Sequence, residues 1–330
     1  MPGKCAMIDI RRKEQCDVAI IGAGPAGIGA ALALKKAGIK DIIILDRETT
    51  GGGVPRHCGH PPFGLREYTK IMTGPQYAQR NVEEVHKAGI PLSLRTSVTA
   101  LGPDGTIDYV CPQGRGKLSA KRVLLATGTR ETPRSARFIS GDRPLGIYTT
   151  GALQSMIYLK NMAPFYHPLV IGTEIVSFSA LWTCKKAGIQ PVAMIDERSR
   201  PAVAWPLYSS SRYFGVPLLT GCTNITIYGK TRINGVCIVD QHGQQRDFSC
   251  DGVLVTGRFT PESILARLGG LTIDNTSGRP LTDRYGRCSN PIYFAAGNLV
   301  HQPVKVAGKC WQNGKTAAKR IAKDLDSAGG

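Results

Sequence analysis

The ten cysteines of the sequence include no C-x-x-C pair, and no Cys/His spacing typical of zinc or iron–sulfur sites accompanies them. The sequence therefore gives no support for a local dithiol redox centre or for a metal centre of those types. Reduced thiols in a cytoplasmic protein are the expected state.

Long hydrophobic runs are also missing. The apolar run at residues 18–34 is interrupted by glycines that a tight turn explains, and no other stretch reaches about 18 apolar residues without a charge. The N-terminal residues are polar and charged, unlike a secretory signal. We expect a cytoplasmic protein without a transmembrane segment, with any peripheral membrane attachment made through its partners.

Acidic residues are scarce, because 24 Asp and Glu stand against 42 Lys and Arg, which gives a net charge of +18. Such an excess raises the question of nucleic acid. The basic residues are scattered in short groups, however, without interleaved aromatics and without a helix-turn-helix pattern. We favour a basic surface that is solvated or meets an acidic protein partner, and we predict no nucleic-acid ligand.

A glycine-rich turn near the N-terminus has the pattern of a dinucleotide-binding site. The apolar β-branched run at residues 18–21 predicts a buried strand, which breaks at Gly22 and leads into an Ala- and Leu-rich helix. Gly22 permits the tight turn, Gly24 lets the backbone approach a pyrophosphate, and Gly27 lets the helix pack closely on the strand. The helix N-terminus would offer free N–H groups and its positive dipole end to the phosphates.

A second predicted strand, at residues 41–45, ends in Asp46, which is placed to hydrogen-bond an adenosine ribose. A lone GxGxxG is a weak signal, but strand, glycines, helix, strand and acid in this order are a strong one. We therefore predict a bound dinucleotide. The alternative is a glycine-rich turn in an α/β domain that binds nothing.

The middle of the chain contains a weakly similar second copy of this unit, which starts near residue 169. Its turn has Gly172, but Glu174 stands where the second glycine should be and Ser177 where the third should be. A carboxylate at position 174 would both crowd and repel a pyrophosphate. We expect the middle segment to keep the fold and to lose the usual nucleotide mode, and whether it holds a second nucleotide in another way stays open.

Two similar Thr-Gly turns predict where the chain passes between domains. Thr127-Gly128 follows a buried strand, and Thr256-Gly257 follows another. The predicted division is an outer domain formed by residues 1–133 and 259–330, with residues 134–258 inserted into it. A late Ala-Ala-Gly-Asn turn, which ends in Asn298, lies in the returning part of the outer domain.

These motifs in this order resemble the two-dinucleotide-domain flavoproteins, whose simplest members have the size of thioredoxin reductase. The resemblance covers nearly the whole chain and implies an α/β fold of two Rossmann-like domains, with FAD in the outer one and an NAD(P)-type fold in the middle. The family's late motif is usually Gly-Asp, whose Asp binds the ribityl chain of the flavin. Here Asn298 replaces it, and its amide oxygen can still accept a hydrogen bond. The predicted cofactor contacts are Gly22, Gly24, Gly27, Asp46, Arg47, Gly52, Thr127, Gly128, Gly297 and Asn298.

Within that family, three segments resemble the FAD-carrying companion subunits of hydrogen cyanide synthase, opine oxidase and proline or hydroxyproline dehydrogenase complexes. They are the loop at residues 50–65, the run that starts Thr73-Gly-Pro-Gln-Tyr77, and the Val-Ser-Phe-Ser turn at residues 176–179. The implied function is that of an FAD-binding subunit in a heteromeric, dye-linked dehydrogenase of an amino acid or secondary amine, carrying electrons between flavin and an acceptor. The implied partners are a second flavoprotein subunit of amino-acid oxidase type and, in some complexes, a small iron–sulfur subunit. Any cluster or further flavin would then sit on those partners.

Two other functions are compatible with the same motifs. One is a self-sufficient NAD(P)H-dependent flavin reductase. The other is a structural or regulatory subunit that holds a nucleotide without chemistry.

Cys58 is the candidate catalytic residue, because it lies in the loop where relatives place redox cysteines over the flavin. His57 and His60, if protonated, could lower the pKa of its thiol. The alternative is a thiol that packs in the loop and has no chemistry. A metal site formed by the same three residues is disfavoured, since three ligands within four residues strain tetrahedral geometry, and no metal is predicted.

Overall fold

The computed structural model describes Ile10, residues 13–300 and residues 306–327. Parallel strands and helices alternate along it, with short antiparallel strands inserted. The helices are α1 (Pro25–Lys36), α2 (Leu65–Tyr68), α3 (Gly74–Lys87), α4 (Thr150–Lys160), α5 (Ile175–Lys186), α6 (Ser210–Tyr213), α7 (Ile264–Leu268) and α8 (Ala307–Asp326). The strands are β1 (Gln15–Ile21), β2 (Ile42–Leu45), β3 (Leu92–Ser93), β4 (Ser97–Leu101), β5 (Thr106–Cys111), β6 (Gly114–Leu125), β7 (Thr129–Glu131), β8 (Ser140–Gly141), β9 (Ile147–Thr149), β10 (Pro168–Ile171), β11 (Ala193–Ile195), β12 (Leu218–Leu219), β13 (Thr223–Tyr228), β14 (Gly235–Val239), β15 (Gln245–Ser249), β16 (Gly252–Val255), β17 (Phe259–Pro261) and β18 (Tyr293–Ala295).

The chain divides into two compact units. The first unit comprises residues 1–56, 61–130 and 261–330, and the second comprises residues 57–60 and 131–260. The boundaries predicted from the sequence fall after residues 133 and 258, whereas the contacts divide the chain after residues 130 and 260 and add His57–His60 to the second unit. The use of these units as an FAD domain and a nucleotide-type domain stays a prediction.

The first unit is built on a sheet with the order β3-β2-β1-β6-β5-β4, and β18 pairs with β6 as well. Strand β6 belongs to two kinds of pairing. Its end runs parallel to β1 and β18, and its beginning runs antiparallel to β5. Its burial reflects this change, because only Leu118 is buried in the antiparallel part, whereas the last three residues are all buried. Parallel strands are covered on both faces, whereas antiparallel strands can leave one face in water.

The core of the first unit lies on both faces of this sheet. Successive side chains of a strand point to opposite faces, so Val18 and Ile20 of β1 pack with Trp311 of α8, while Ala19 packs on the other face with Tyr293. All of these side chains are less than a tenth exposed. Burial of each large aliphatic side chain contributes about 1.5–3 kcal/mol, which makes this sheet the stable base of the turn at its carboxyl edge.

Helices α1 and α8 approach each other closely because glycines line their contact. A Cβ added to Gly29 of α1 would lie 2.9 Å from the carbonyl oxygen of Trp311. A Cβ added to Gly314 of α8 would overlap the carbonyl group of Ala26. Because Gly29 and Gly314 have no side chains, α8 can pack closely against the first half of α1, next to the glycine-rich turn.

The second unit repeats the plan of the first. Its parallel sheet has the order β12-β11-β10-β16-β9, and a separate sheet has the order β15-β14-β13-β8. Residues of β10 again alternate between two clusters, with Leu169 and Ile171 in one and Val170 in the other. Both units therefore have the α/β class that the sequence predicts. Within residues 13–300 and 306–327, no helix combines the length and the apolar character needed to cross a membrane.

Candidate functional site

The three glycines of the first turn fall into two groups. Gly22 has φ +113°, and a Cβ there would overlap the carbonyl oxygen of Ala126. A Cβ at Gly27 would overlap the carbonyl oxygen of Gly22, so these two glycines are required by the fold itself. Gly24 is different, because its φ is −81° and its added Cβ would come no closer than 3.9 Å to any atom, the Cα of Gly53. Among the described residues nothing requires a glycine at position 24, and the space beside it has room for an external group.

A second glycine segment faces Gly24. Gly53 has φ +65°, and a Cβ there would lie 2.8 Å from the Cα of Gly24. Its neighbour Gly52 has φ +108°, and the N–H of Gly52 donates to the carbonyl oxygen of Ala23 over 2.8 Å. Gly52 was predicted from the sequence and Gly53 was not, although the run of three glycines was the available signal.

The N-terminus of α1 is open to an anion. No side chain caps it, Pro25 occupies the first position, and the first turn contains no acidic residue. The first N–H groups of a helix have no partner within the helix, and they carry the positive end of its dipole. Backbone donors beside a bare Gly24 Cα are the arrangement that fits a pyrophosphate, so the residues present fit a dinucleotide.

Asp46 links the end of β2 to this turn. Its Oδ2 accepts the N–H of Ala23 over 2.6 Å, and its Oδ1 accepts the N–H of Glu48 over 2.9 Å. Each carboxylate oxygen has capacity for another donor, so these bonds leave a ribose contact possible. Arg47 points into solvent, with a side chain 70% exposed and a 3.8 Å ion pair to Glu48. The cofactor roles of Asp46 and Arg47 stay predictions.

Arg56 holds the second glycine segment and was not predicted from the sequence. Its Nη1 donates to Thr50 Oγ1 over 2.8 Å, and its Nε donates to the carbonyl oxygen of Gly53 over 3.1 Å. Its Nη2 also pairs with Glu48 at 3.1 Å, and its side chain is only 14% exposed. The guanidinium thereby joins both ends of the loop that faces Gly24. No sequence motif marks such a residue, because its role depends on the path of the loop.

The Thr127-Gly128 turn is tied to the segment in which the chain returns to the first unit. Thr127 Oγ1 donates to the carbonyl oxygen of Glu262 over 2.8 Å, and the N–H of Glu262 donates to the carbonyl oxygen of Gly128 over 3.0 Å. Gly128 has φ +76°, and a Cβ there would meet open space. The hydroxyl of Thr127 has a structural partner, and the cofactor contact of this pair stays a prediction.

The late Gly297-Asn298 turn lies against α1 and α8. A Cβ at Gly297 would lie 2.7 Å from the Cβ of Ala26, directly behind the first turn. The N–H of Gly297 donates to Asn313 Oδ1 over 2.6 Å, and Asn298 Oδ1 accepts the S–H of Cys310 over 3.2 Å. The amide oxygen that was expected to face a ribityl chain therefore already has a donor. Cys310 and Asn313 carry no recognisable motif and were missed.

The second turn has kept the backbone of the first and filled its space. Gly172 has φ +120°, and Glu174 has φ −72° and ψ 167°, close to the φ −81° and ψ −178° of Gly24. The carboxylate of Glu174 folds back into the turn, because a Cβ at Gly172 would lie 2.8 Å from its Oε2. A Cβ at Gly257 would overlap the same carboxylate.

Arg198 neutralises the carboxylates of this second turn. Its Nη2 donates to Glu174 Oε1 over 2.7 Å and to Asp196 Oδ2 over 2.8 Å, and its Nε donates to Asp196 Oδ1 over 2.8 Å. Burial opposes ionisation of Asp196, but the hydrogen bonds from Arg198 and Thr173 outweigh it and lower the pKa of the carboxyl. The hydrogen bonds of Arg198 raise the pKa of its guanidinium, and the bond to Asp196 has the largest effect. Burial lowers the pKa, but the bonds to Asp196 and Glu174 outweigh it. The guanidinium is thus held by two carboxylates of its own unit.

Hydroxyl groups complete the second turn. Ser177 Oγ lies 2.5 Å from Thr256 Oγ1, and Thr256 Oγ1 also lies 2.9 Å from the carbonyl oxygen of Ile171. The carbonyl oxygen of Thr256 accepts Nη1 of the buried Arg137 over 2.7 Å. Polar side chains of the second turn therefore hydrogen-bond with one another and with the backbone. They occupy the space that corresponds to the open space beside Gly24 in the first turn.

Cys58 lies in the second unit, where its Sγ is 3.6 Å from Gln154 Oε1. Gly59 packs beside it on the ring of Tyr158, with no room for a Cβ. Burial, and next the charge of Glu131, raise the pKa of the Cys58 thiol to about 12. Burial thus opposes the lowering that protonated His57 and His60 could produce, and a catalytic role of Cys58 stays a prediction. Among the described residues, no group of three or more His, Cys, Asp or Glu is placed to hold a metal.

The family described as pyridine nucleotide-disulphide oxidoreductase matches residues 16–318. The chain belongs to this family. It is an oxidoreductase of the FAD-type pyridine nucleotide-disulphide class, and the two-domain flavoprotein resemblance and Rossmann-like α/β fold predicted from its motifs are confirmed.

Curated relatives include components of larger oxidases. One subunit of opine oxidase from Rhizobium meliloti is 29% identical over 192 residues, covering 57% of this chain and 40% of that protein. The alpha subunit of sarcosine oxidase from the same species is 25% identical over 339 residues, covering 94% of this chain and 31% of that protein. The chain thus spans less than half the length of either. Soluble pyridine nucleotide transhydrogenase of Pseudomonas putida is 28% identical over 345 residues, covering 92% of this chain and 70% of that protein.

Solved structures show the same fold at lower identity. Thioredoxin reductase of T. acidophilum superposes with a TM-score of 0.80 at 20% identity, covering 95% of this chain and 100% of that one. L-proline dehydrogenase of P. horikoshii superposes with a TM-score of 0.70 at 19% identity, covering 95% of this chain and 56% of that one. At these identities the likeness establishes the fold alone.

Proposed function

We propose that this chain binds FAD in its first unit and serves as the FAD-carrying subunit of a heteromeric dehydrogenase that oxidises an amino acid or a secondary amine. Its part is to carry electrons between the flavin and an acceptor. The observation that carries the proposal is the contrast between the turns, one open at Gly24 and one filled by Glu174. A chain with one open nucleotide site needs its electron donor or acceptor from elsewhere.

FAD is the cofactor proposed for the open turn. Gly24, Gly53 and the N-terminus of α1 would hold its pyrophosphate, Asp46 its adenosine ribose, and Asn298 its ribityl chain. Bound FAD would supply the redox chemistry, because a flavin takes up and releases electrons in pairs or singly. The residues of the chain bind and orient it. Full release of FAD, and not FMN, from denatured protein would support this assignment, and a colourless wild-type protein that takes up no FAD would contradict it.

The partners are proposed from what this chain does not carry and from its charge. The sequence has no C-x-x-C pair, and its net charge of +18 favours docking with an acidic companion through steering and complementarity. Two of its relatives are named as subunits, one of opine oxidase and one of sarcosine oxidase. We propose a second flavoprotein subunit of amino-acid oxidase type, with any iron–sulfur cluster on a further polypeptide, in a cytoplasmic complex.

Purification from the native source tests this proposal. The chain should co-purify with at least one other flavin-containing subunit, and the complex should oxidise an amino acid or secondary amine with an artificial dye as acceptor. The isolated chain, reconstituted with FAD, should not. Isolation of the chain as a homo-oligomer with full turnover of the amine would contradict the proposal.

A second candidate is a self-sufficient NAD(P)H-dependent flavin reductase. The observation that favours it is the match to the transhydrogenase, which covers 92% of this chain and 70% of that enzyme. The filled second turn speaks against it, because the carboxylate of Glu174 lies where a nicotinamide dinucleotide would place its pyrophosphate. Rapid reduction of the bound flavin by NADH or NADPH would decide in its favour.

A further inference from the structure

The Gly297-Asn298 turn is held by two side chains of one helix. Cys310 and Asn313 are three residues apart on α8, a spacing that places both on the same face. Asn313 Oδ1 accepts the N–H of Gly297 over 2.6 Å, and Cys310 donates its S–H to Asn298 Oδ1 over 3.2 Å. One contact fixes the backbone of the turn and the other fixes its side chain.

The contact with Cys310 determines which end of the Asn298 carboxamide is engaged. A thiol donates a hydrogen bond but accepts one only weakly, so the amide oxygen is the better group to face it. Cys310 is 6% exposed, and water does not compete freely for its S–H. The oxygen keeps a second lone pair, but the NH2 group, with two donors, is the end of the carboxamide turned away from Cys310, and it is the end that we assign to a ligand.

On the basis of the proposed function, we propose that Cys310 is a positioning residue for the cofactor: its thiol holds the Asn298 oxygen so that the Asn298 NH2 group donates to the ribityl chain of FAD. A ribityl hydroxyl both donates and accepts, so it can receive this donor. The polarity is the reverse of that expected from the sequence, in which the amide oxygen accepts. Cys310 thereby gains a function.

A double-mutant cycle on the full chain tests the assignment, with the FAD dissociation constant of deflavinated protein as the readout. Cys310→Ala should raise that constant about fivefold, the worth of one hydrogen bond, and Cys310→Ser, which keeps a donor, should restore it to within about twofold. In an Asn298→Ala background, Cys310→Ala should have no further effect, because Cys310 acts through Asn298. Cys288→Ala, which removes a buried thiol packed on the other face of the sheet, is the matched control and should bind like wild type.

Two results would overturn the inference alone: an unchanged dissociation constant in Cys310→Ala, or a fivefold loss that persists in the Asn298→Ala background. A wild-type protein that binds no FAD would overturn the proposed function, and this inference with it. If circular dichroism shows that Cys310→Ala does not fold, Cys310→Val, which also lacks a donor, takes its place in the cycle.

Discussion

The two turns of this chain have nearly the same backbone and opposite contents. Gly22 and Gly172 have φ +113° and +120°, and each turn leads into a twelve-residue helix. In the first turn, the space beside Gly24 is bounded by backbone and is open to a ligand. In the second, Glu174 and its partners fill that space with paired charges and hydroxyls. The comparison teaches that nearly the same turn backbone can either leave this space open or hold a network of polar side chains in it.

The largest effect is expected at Gly24. Its backbone angles suit any residue and its Cβ would meet no atom within 3.4 Å, so Gly24→Val should fold normally. The branched side chain would occupy the pyrophosphate position, and FAD affinity should fall by about 100-fold or more, the loss of two or more hydrogen bonds to a charged group. Flavin absorbance reports FAD binding, and the melting temperature reports folding. Gly27→Val is the contrast, because its Cβ would overlap Gly22 and it should not fold. Full flavin retention in Gly24→Val would rule out the FAD site.

The next effect concerns the filled turn. Since Glu174 and Gly24 have similar backbone angles, Glu174→Gly should be tolerated, and the second-order rate constant of flavin reduction by NADPH should rise about tenfold, equivalent to ~1.4 kcal/mol. Glu174→Gln keeps the bulk and removes the charge, so it separates crowding from repulsion. Glu197→Gly, in the exposed pair with Arg258, is the control and should leave the rate unchanged. If both Glu174 variants bind nicotinamide dinucleotides no better than wild type, Glu174 is not the obstacle.

A smaller effect is expected on stability. Arg198→Leu removes two side-chain hydrogen bonds to the buried Asp196 and one to Glu174, and should destabilise the second unit by ~2 kcal/mol in urea unfolding at pH 7. The folded pKa of Asp196 is lowered, so its stabilisation is complete above the unfolded value of about 4 and is lost as the pH falls through the folded pKa. Wild type should therefore lose stability below about pH 4 more steeply than Arg198→Leu. Arg258→Leu, which breaks an exposed pair, should cost no more than ~1 kcal/mol. Equal costs for the two variants would contradict the network.

The smallest effect is expected at Cys58. Cys58→Ser keeps a donor for Gln154, so FAD content and melting temperature should stay close to those of wild type. Because burial raises the pKa of this thiol to about 12, its alkylation by iodoacetamide at pH 8 should be slow in the folded protein. A loss of several orders of magnitude in the activity of the assembled enzyme would show that the thiol takes part in chemistry.

The site shows how far sequence reasoning can reach. Gly22, Gly24 and Gly27 are recognisable because turn, approach and packing each require a glycine at a fixed spacing. Glu174 is recognisable as the exception to that spacing. Its partner Arg198, 24 residues later, is not, because it depends on the fold bringing the end of β11 to the turn.

The remaining misses have the same physical origin. Arg56 acts through three contacts and Cys310 through its bond to Asn298, and no sequence motif encodes any of them. The high pKa of Cys58 follows from its burial beside α4, whereas the sequence shows only the two histidines next to it. Local motifs define the backbone of the open turn, and tertiary contacts define the side chains around it.

Stopped-flow reduction of the FAD-loaded wild-type chain by NADH and by NADPH tests the contrast between the turns most directly. The filled second turn predicts slow reduction that does not saturate, well below the typical enzyme turnover of about 10 per second. The amino-acid substrate should reduce the same flavin only when the partner subunit is added. Fast, saturable reduction by either nucleotide would show that the second turn binds a pyrophosphate after all and would contradict the account.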